Sequence, residues 1–468
     1  MQDYQTFLAS KRLTVKPSGF DVAPEALSPH LFDYQRAVVK WAIRKGKAAL
    51  FLDTGLGKTP CLLEWGKQVH AHAGVNVLIL APLAVSKQIA REGEKFGIPV
   101  KVCREQTDCV TGLNVTNYER LHKFDASAFG AIIMDEASIL KSRDGKTRTS
   151  ILETFAATPY KLLATATPSP NDQMELGTYA EFLGIMSYVE MLATFFCHDG
   201  GDTSTWRLKG HAEADFYAWL ASWSVAMRSP ADLGYDASRH NLPRLHRHEI
   251  VVAADDETAQ RQGTLFAIEA QTLLERRQAR KSSLPERVQI AADLINAIPS
   301  DEKVIVWCNL NAEGDALEKA ITGALQVAGS NDPETKEDRL IAFAHGSLNR
   351  LVTKPSIAGH GLNLQECHIQ FFVGLSDSFE ELYQAERRTW RYGQTEEVHT
   401  HIITSEIEGA VVRNIARKEA QHHAMMDGLV SHMRAAMAAE LGSSGRTEEE
   451  YKAGKVMRLP SWLRSEAA

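Results

Sequence analysis

Ala49-Leu-Phe-Leu-Asp-Thr-Gly-Leu-Gly-Lys-Thr-Pro60 reads as an apolar strand that breaks at two glycines and re-enters as a helix carrying Lys58 and Thr59. That pattern describes a phosphate cradle. Glycines let backbone N–H groups turn inward onto a polyphosphate, the lysine reaches the terminal phosphates, and the threonine hydroxyl can hold a magnesium ion. The match to G-x-x-x-x-G-K-[ST] lacks its first glycine, where Leu52 stands, so the stretch alone is also compatible with a glycine turn before a surface lysine. The residues it offers to a nucleotide are Thr54, Gly55, Leu56, Gly57, Lys58 and Thr59.

Upstream, Leu31-Phe-Asp-Tyr-Gln-Arg36 opens a helix through Trp41 and Ile43. Downstream come Val77 to Pro82, Gly112 to Tyr118, Ala131 to Glu136 and Leu162 to Pro168. Short apolar runs separated by helix-length segments predict a parallel sheet covered on both faces, with chemistry at the carboxyl ends of its strands. Asp135 and Glu136 fall at such an end. There an aspartate can order magnesium and its neighbour can orient or deprotonate an attacking water, which suits ATP hydrolysis. An acidic pair in a turn is usually just solvated, so this reading leans on the upstream Gly-Lys-Thr.

Residues 172 to 280 break the rhythm. Phe216, Trp219, Leu220 and Trp223 share one helical face and read as core rather than as a platform for bases. Arg276-Arg-Gln-Ala-Arg-Lys281, followed by Ser282, Ser283 and Pro285, reads as a connector or a solvated helix face. From Glu286 the alternation resumes through Val304 to Trp307, Leu351 to Thr353, Ile369 to Val373 and Val398 to Thr404, with no second phosphate loop. The expected fold is α/β, with two tandem parallel-sheet domains. The expected division is an arm at 1–27, a first domain at 28–171, a helical elaboration and connector at 172–284, a second domain at 285–408 and a helical tail at 409–468.

Composition agrees with a large globular chain. At 468 residues it is too long for one core, and 44 % apolar with 24 % charged residues is ordinary for a soluble protein. A net charge of −7 leaves any nucleic-acid contact to a local patch. The six cysteines form no C-x-x-C pair and no zinc spacing, and no apolar run approaches the ~18 residues of a membrane span. The expectation is a soluble cytosolic protein, in a bacterium or a phage-infected cell, with no membrane partner. His422 and His423 are expected to be solvated neighbours on a helix.

The order of motifs over residues 28 to 405 resembles the superfamily-two helicases, and within them the compact phage and bacterial relatives of the Swi/Snf-like DNA translocases. Asp33-Tyr-Gln35 resembles the adenine-reading motif, which implies adenine contacts for Phe32 and Gln35. Thr54 to Thr59 resembles the phosphate loop. Asp135-Glu-Ala-Ser138 resembles the D-E-A-H box, with serine for histidine. Ala164-Thr-Ala-Thr-Pro168 is similar to the coupling motif, which implies that role for Thr165 and Thr167. Gly359-His-Gly-Leu-Asn-Leu364 resembles G-L-G-I-N-L, implying nucleotide contacts for Gly361 and Asn363. Gln384-Ala-Glu-Arg-Arg-Thr-Trp-Arg-Tyr-Gly-Gln394 resembles Q-A-x-x-R-x-x-R-x-G-Q, which implies that Gln384, Arg388 and Arg391 face the ATP. The resemblance implies RecA-like domains, with the second a helicase C-terminal domain, and ATP with magnesium held by Thr59 and Asp135.

The arginines also make sense alone, because charge developing on a transferred phosphoryl group needs a cation that a second domain can bring. The competing reading has Arg387, Arg388 and Arg391 on an amphipathic helix, paired with Glu380, Glu381 or Glu386. For a nucleic-acid track, DNA more than RNA, the candidates are Pro82, Ser86, Thr116, Asn117 and Tyr118 in the first domain and Asn309, Thr353 and Lys354 in the second. Such residues are also common in turns. The sequence thus predicts a nucleic-acid-stimulated ATPase motor. The alternative is an ATP-dependent clamp or regulatory module without processive movement, and a protein partner is possible. A small-molecule kinase is disfavoured, since the second domain offers no acceptor site.

Overall fold

The computed structural model describes residues 15–82, 85–141, 145–169, 172–199, 202–253, 273–359 and 363–443. Its strands are β1 (Lys47–Leu52), β2 (Val77–Ala81), β3 (Val100–Val102), β4 (Leu113–Asn117), β5 (Ala131–Asp135), β6 (Tyr160–Thr165), β7 (Phe196–Asp199), β8 (Asp202–Leu208), β9 (Ser224–Met227), β10 (Leu245–Val252), β11 (Val304–Cys308), β12 (Ala324–Val327), β13 (Arg350–Thr353), β14 (Ile369–Val373) and β15 (Val398–Ser405). Two parallel sheets carry the fold, in the orders β3-β4-β2-β5-β6-β1-β9 and β10-β15-β14-β11-β13-β12, while β7 and β8 form a separate antiparallel pair. Every residue of β2, β4, β5 and β11 is buried, as strands packed on both faces must be.

The segment 172–284 is not simply helical. Its helices at Leu176–Leu183, Tyr188–Phe195 and Glu213–Ala221 bury Phe216, Trp219 and Trp223 in the first core, but β9 completes the first sheet and β10 begins the second. The chain therefore crosses between the sheets in residues 228–244. Neither strand carries a clear sequence signal. β9 is four residues long, and β10, an edge strand, reads Leu-His-Arg-His-Glu before its apolar end, the polar composition by which edges avoid pairing with other chains.

The last described helix, Gly409–Ser443, leaves the second domain and packs back onto the first. Val411 and Ile415 belong to the second core, whereas Met425, Met426, Leu429 and Met433 are buried in the first. His422 sits between these two attachments. It is not solvated: it is 3 % exposed, with its ring 5.5 Å from Phe379 and 5.4 Å from Tyr383, because the helix lies against the second domain at that turn. The adjacent His423 side chain, on the outer face, remains 48 % exposed.

Burial pushes the pKa of His422 down from 6.5 to about 4. The unfolded chain therefore binds a proton near pH 6.5 that the folded chain resists until about pH 4, so His422 contributes stability above this window that is lost as pH falls through it. Urea midpoints measured between pH 7 and 4 should fall, and His422→Gln should flatten part of that slope. An identical slope in the variant would show that the helix Gly409–Ser443 does not feel this titration.

Candidate functional site

The phosphate loop runs from the end of β1 to the helix Lys58–Ala73, which begins at Gly57. Gly55 and Gly57 have φ of 87° and 71°, the left-handed region where a side chain is strained. A Cβ on Gly57 would also lie 2.2 Å from Gln35 Nε2, so the loop and the adenine-motif glutamine require a glycine at their contact. Gln35 is itself fixed: its Nε2 donates to Leu56 O at 3.1 Å and its Oε1 accepts from Phe32 N at 2.9 Å.

Phe32 forms an aromatic wall with residues the sequence did not nominate. Its ring lies 5.3 Å from His240 and 6.2 Å from Tyr392, and these two are 5.0 Å apart. His240 comes from the crossing between sheets and Tyr392 from the second domain. Tyr392 could have been found, since it lies inside the arginine motif. His240 could not, in a stretch with loop composition.

Asp135 ends β5 and Glu136 follows it with φ 55°, the one non-glycine residue with positive φ among those described. Such a conformation costs roughly 1–3 kcal/mol and persists where surroundings hold it. Here Glu136 Oε1 accepts from Thr165 Oγ1 at 2.6 Å and Oε2 from Gln384 Nε2 at 3.3 Å, while Tyr118 donates to Asp135 O at 2.6 Å. Burial, then the Glu136 charge, push the Asp135 carboxyl up to about 7.

Thr165 belongs to a chain of contacts. Its hydroxyl accepts from Thr167 N at 3.1 Å, and Thr167 Oγ1 donates to Glu380 Oε1 at 3.3 Å. Glu380 also pairs with Lys141. It opens the helix Phe379–Thr389, which carries the arginine motif. The coupling residues thus join the carboxylate end of the first sheet to the second domain. Ser138, at the position where the D-E-A-H box has histidine, is buried.

The arginine helix faces the phosphate loop. Arg388 Nε donates to Gln384 O at 3.0 Å and its Nη2 to Gln384 Oε1 at 2.8 Å, which orients the guanidinium. Burial and the neighbouring Arg391 charge lower its pKa to about 9, against the pull of Glu136 and Asp135. Burial likewise lowers Lys58, opposed by Glu136, Asp53 and Asp135. Lys58 Nζ meanwhile donates to Leu52 O at 3.0 Å. Buried cations whose charge is penalised in this way are stabilised by an added anion. Residues from both domains therefore fit a polyphosphate here.

Arg387 does not pair with Glu380, Glu381 or Glu386. Its Nη2 reaches Asp53 Oδ2 at 3.0 Å, and Tyr383 donates to Asp53 Oδ1 at 2.5 Å, so the residue before Thr54 is tied to the second domain. Glu386 instead receives Arg247 at 2.6 Å. Burial raises the Asp53 pKa, but Arg387, Tyr383 and Thr54 N–H outweigh it and hold the carboxyl below its ordinary value. This cross-domain pair was not legible from sequence, because Asp53 has no acidic counterpart in the G-x-x-x-x-G-K-[ST] pattern.

The proposed track residues divide. Thr116, Asn117, Tyr118, Ser86 and Thr353 are at most 7 % exposed. The Tyr118 hydroxyl is bound to Asp135 O, Asn117 Oδ1 accepts from Arg120 N at 3.1 Å, and Thr353 Oγ1 donates to Val327 O at 3.0 Å. In this structure these five side chains are covered by what packs over them. Asn309, Pro82 and Lys354 remain partly exposed, and Lys354 Nζ donates to Asn311 Oδ1 at 2.6 Å. Gly361 lies outside the described residues. Asn363 is described, and its Oδ1 is buried without a partner.

A model of the helicase conserved C-terminal domain matches residues 286–393, from the start of the second domain through the arginine motif. A Xenopus tropicalis protein, the SWI/SNF-related matrix-associated actin-dependent regulator of chromatin subfamily A-like protein 1, is 22 % identical over 417 residues, 81 % of this chain and 43 % of its own length. The Xenopus laevis protein of the same name is 23 % identical over 420 residues, 80 % of this chain and 42 % of its own. The chain thus spans less than half the length of these curated relatives. A solved structure, the Sulfolobus solfataricus SWI2/SNF2 ATPase core in complex with dsDNA, is 17 % identical, covering 90 % of this chain and 98 % of that one at a TM-score of 0.40. Among the described residues no helix is long and apolar enough to cross a membrane. The helicase domain model over residues 286–393 gives the second domain as a helicase conserved C-terminal domain, and over most of its length the chain is similar to Swi/Snf-related proteins, with its motifs facing each other across two parallel sheets.

Proposed function

We propose that the chain is an ATP-driven motor on DNA, in which ATP binds between the two sheets and its hydrolysis opens and closes the cleft along the nucleic acid. The observation that carries this is the convergence of Lys58 from one domain and Arg388 from the other on the Asp135–Glu136 pair, with both cations penalised by burial. Phe32, Gln35, Tyr392 and His240 hold the base, and residues 54–59 with Asn363 and Gly361 hold the sugar and phosphates. Thr59 and Asp135 would hold a magnesium ion, which would supply positive charge at the phosphates. Glu136 takes the proton of the attacking water, while Gln384, Arg388 and Arg391 stabilise charge on the phosphoryl group. Thr165 and Thr167 relay closure to the track, for which Pro82, Asn309 and Lys354 are the accessible candidates.

DNA is the proposed partner, since the curated relatives are chromatin regulators by name. Contacts to both domains favour the closed cleft, so a bound strand raises turnover. The test is the ATPase rate with single-stranded DNA, duplex DNA and RNA at one low, fixed salt concentration. Duplex DNA should stimulate by at least ~10-fold, the population shift of a coupling near 1.4 kcal/mol. Equal rates with and without every nucleic acid would rule out a motor and leave the ATP-dependent clamp.

A further inference from the structure

The edge of the second sheet carries a feature that ATP chemistry does not use. His246 and His248 lie two residues apart on β10, and His399 and His401 two apart on β15. These strands pair in parallel with His246 opposite His399 and His248 opposite His401. Since side chains two apart share a face, the register places four imidazoles on one side of the sheet edge. The rings stack, with centroids 4.9 Å apart for His246 and His399, 5.4 Å for His248 and His399, and 4.6 Å for His248 and His401. Arg247, between the two β10 histidines, faces the other way and binds Glu386 and Glu419.

A carboxylate joins this group. His246 Nε2 is 2.7 Å from Glu397 Oε2, and His248 Nε2 is 3.1 Å from His399 Nδ1. One ligand atom each from His246, Glu397 and His399 falls within 4.8 Å of the others. Ligand atoms around a tetrahedral zinc, bound at about 2.0–2.2 Å, stand roughly 3.3 Å apart, so side-chain rotations of a few tenths of an ångström to an ångström bring the three to one ion. His401 is placed differently, stacked on Phe371 with centroids 4.4 Å apart, and reads as packing.

We propose that His246, Glu397 and His399 bind a borderline divalent transition-metal ion such as Zn2+, with the remaining position open to water. The donor set argues for that class: imidazole nitrogens select zinc, cobalt, nickel and copper over magnesium or calcium, which prefer sites built of oxygen. The location gives the ion work to do. Among the described residues β10 is an edge strand whose only strand neighbour is β15, and it follows directly on the segment crossing from the first domain. An ion shared by His246 on one strand and His399 and Glu397 on or beside the other fastens that edge, and with it Arg247, which holds Glu386 on the arginine helix.

The test uses the full chain, stripped with a chelator and dialysed. Zn2+ titrated against a chromophoric competitor should bind at one equivalent. Co2+ should give the visible absorption of a four-coordinate nitrogen and oxygen site, and added Zn2+ should raise the thermal midpoint. His246→Ala/His399→Ala should lose the equivalent, the absorption and the shift. Glu397→Gln, at an exposed carboxylate, should keep the fold and weaken binding by at least ~10-fold, since even partners outside a metal's ligand shell are worth that much. His345→Ala, which alters a separate surface pair with Glu366, should bind as the parent does. No stoichiometric Zn2+ in the parent, or unchanged binding in both a folded double variant and Glu397→Gln, would overturn the proposal and leave an adventitious ion only.

Discussion

Glu136→Gln should bind ATP about as tightly as the parent chain and hydrolyse it at least ~10² times more slowly, the low end of what a positioned general base contributes. The amide keeps the side chain's volume and can still accept from Thr165 through its oxygen. It loses the second acceptor, which now receives Gln384, and it can no longer take a proton from water. The phosphates are held elsewhere, by the loop and Lys58, so affinity survives. Stopped-flow binding of a fluorescent ATP analogue beside steady-state phosphate release separates the two quantities. A large loss of affinity with intact turnover per bound ATP would mean that Glu136 holds the ground state and that another group is the base. Because Glu136 sits at φ 55°, Glu136→Gly serves as a second variant. It relieves the backbone and removes the carboxylate, and should be as inactive as Glu136→Gln.

How much of this was readable follows from where each residue stands. β1, β2, β5, β11 and β14 are nearly continuous apolar runs because parallel strands are covered on both sides, and such runs announce themselves in sequence. β3, β9 and β12 are three or four residues long and β10 is polar, so no periodicity distinguishes them from loops. At the site, residues within one loop were legible because phosphate chemistry fixes their spacing. The Asp53–Tyr383–Arg387 contact joins residues more than 300 positions apart, and its acidic member resembles any residue at a strand end. The track residues were hard to read for a third reason. Asparagine, serine and threonine at strand ends look alike whether they face a ligand or fill the space beneath one, and Tyr118 is a strut under Asp135. Burial decides between these roles, and burial depends on what packs above.

Arg388→Ala should leave ATP affinity within a few-fold of the parent and reduce turnover by ~10³ or more, the range that arginine fingers supply in phosphoryl transfer. On the proposed reading the ground state is held by Gln35, the phosphate loop and Lys58 together with Tyr392, His240 and Asn363, none of which hydrogen-bonds to Arg388. What disappears is a guanidinium oriented by two bonds to Gln384 and kept in a site that lowers its pKa to about 9. A cation destabilised by its surroundings gains more from charge appearing on the phosphoryl group than a solvated one does, so its benefit is concentrated in the transition state. Arg388→Lys should recover little, since a single ammonium cannot both hold Gln384 and present a planar fork to the phosphates. Removing Arg388 also lifts its repulsion on the Lys58 ammonium, which offsets part of the lost attraction and keeps ATP affinity within a few-fold while turnover collapses. That split is the signature to measure: binding by titration calorimetry on the full chain, turnover with saturating DNA. If Arg388→Ala weakened binding and turnover by the same factor, the arginine would be acting on the ground state, and closure of the second domain over the ATP would not be the catalytic step.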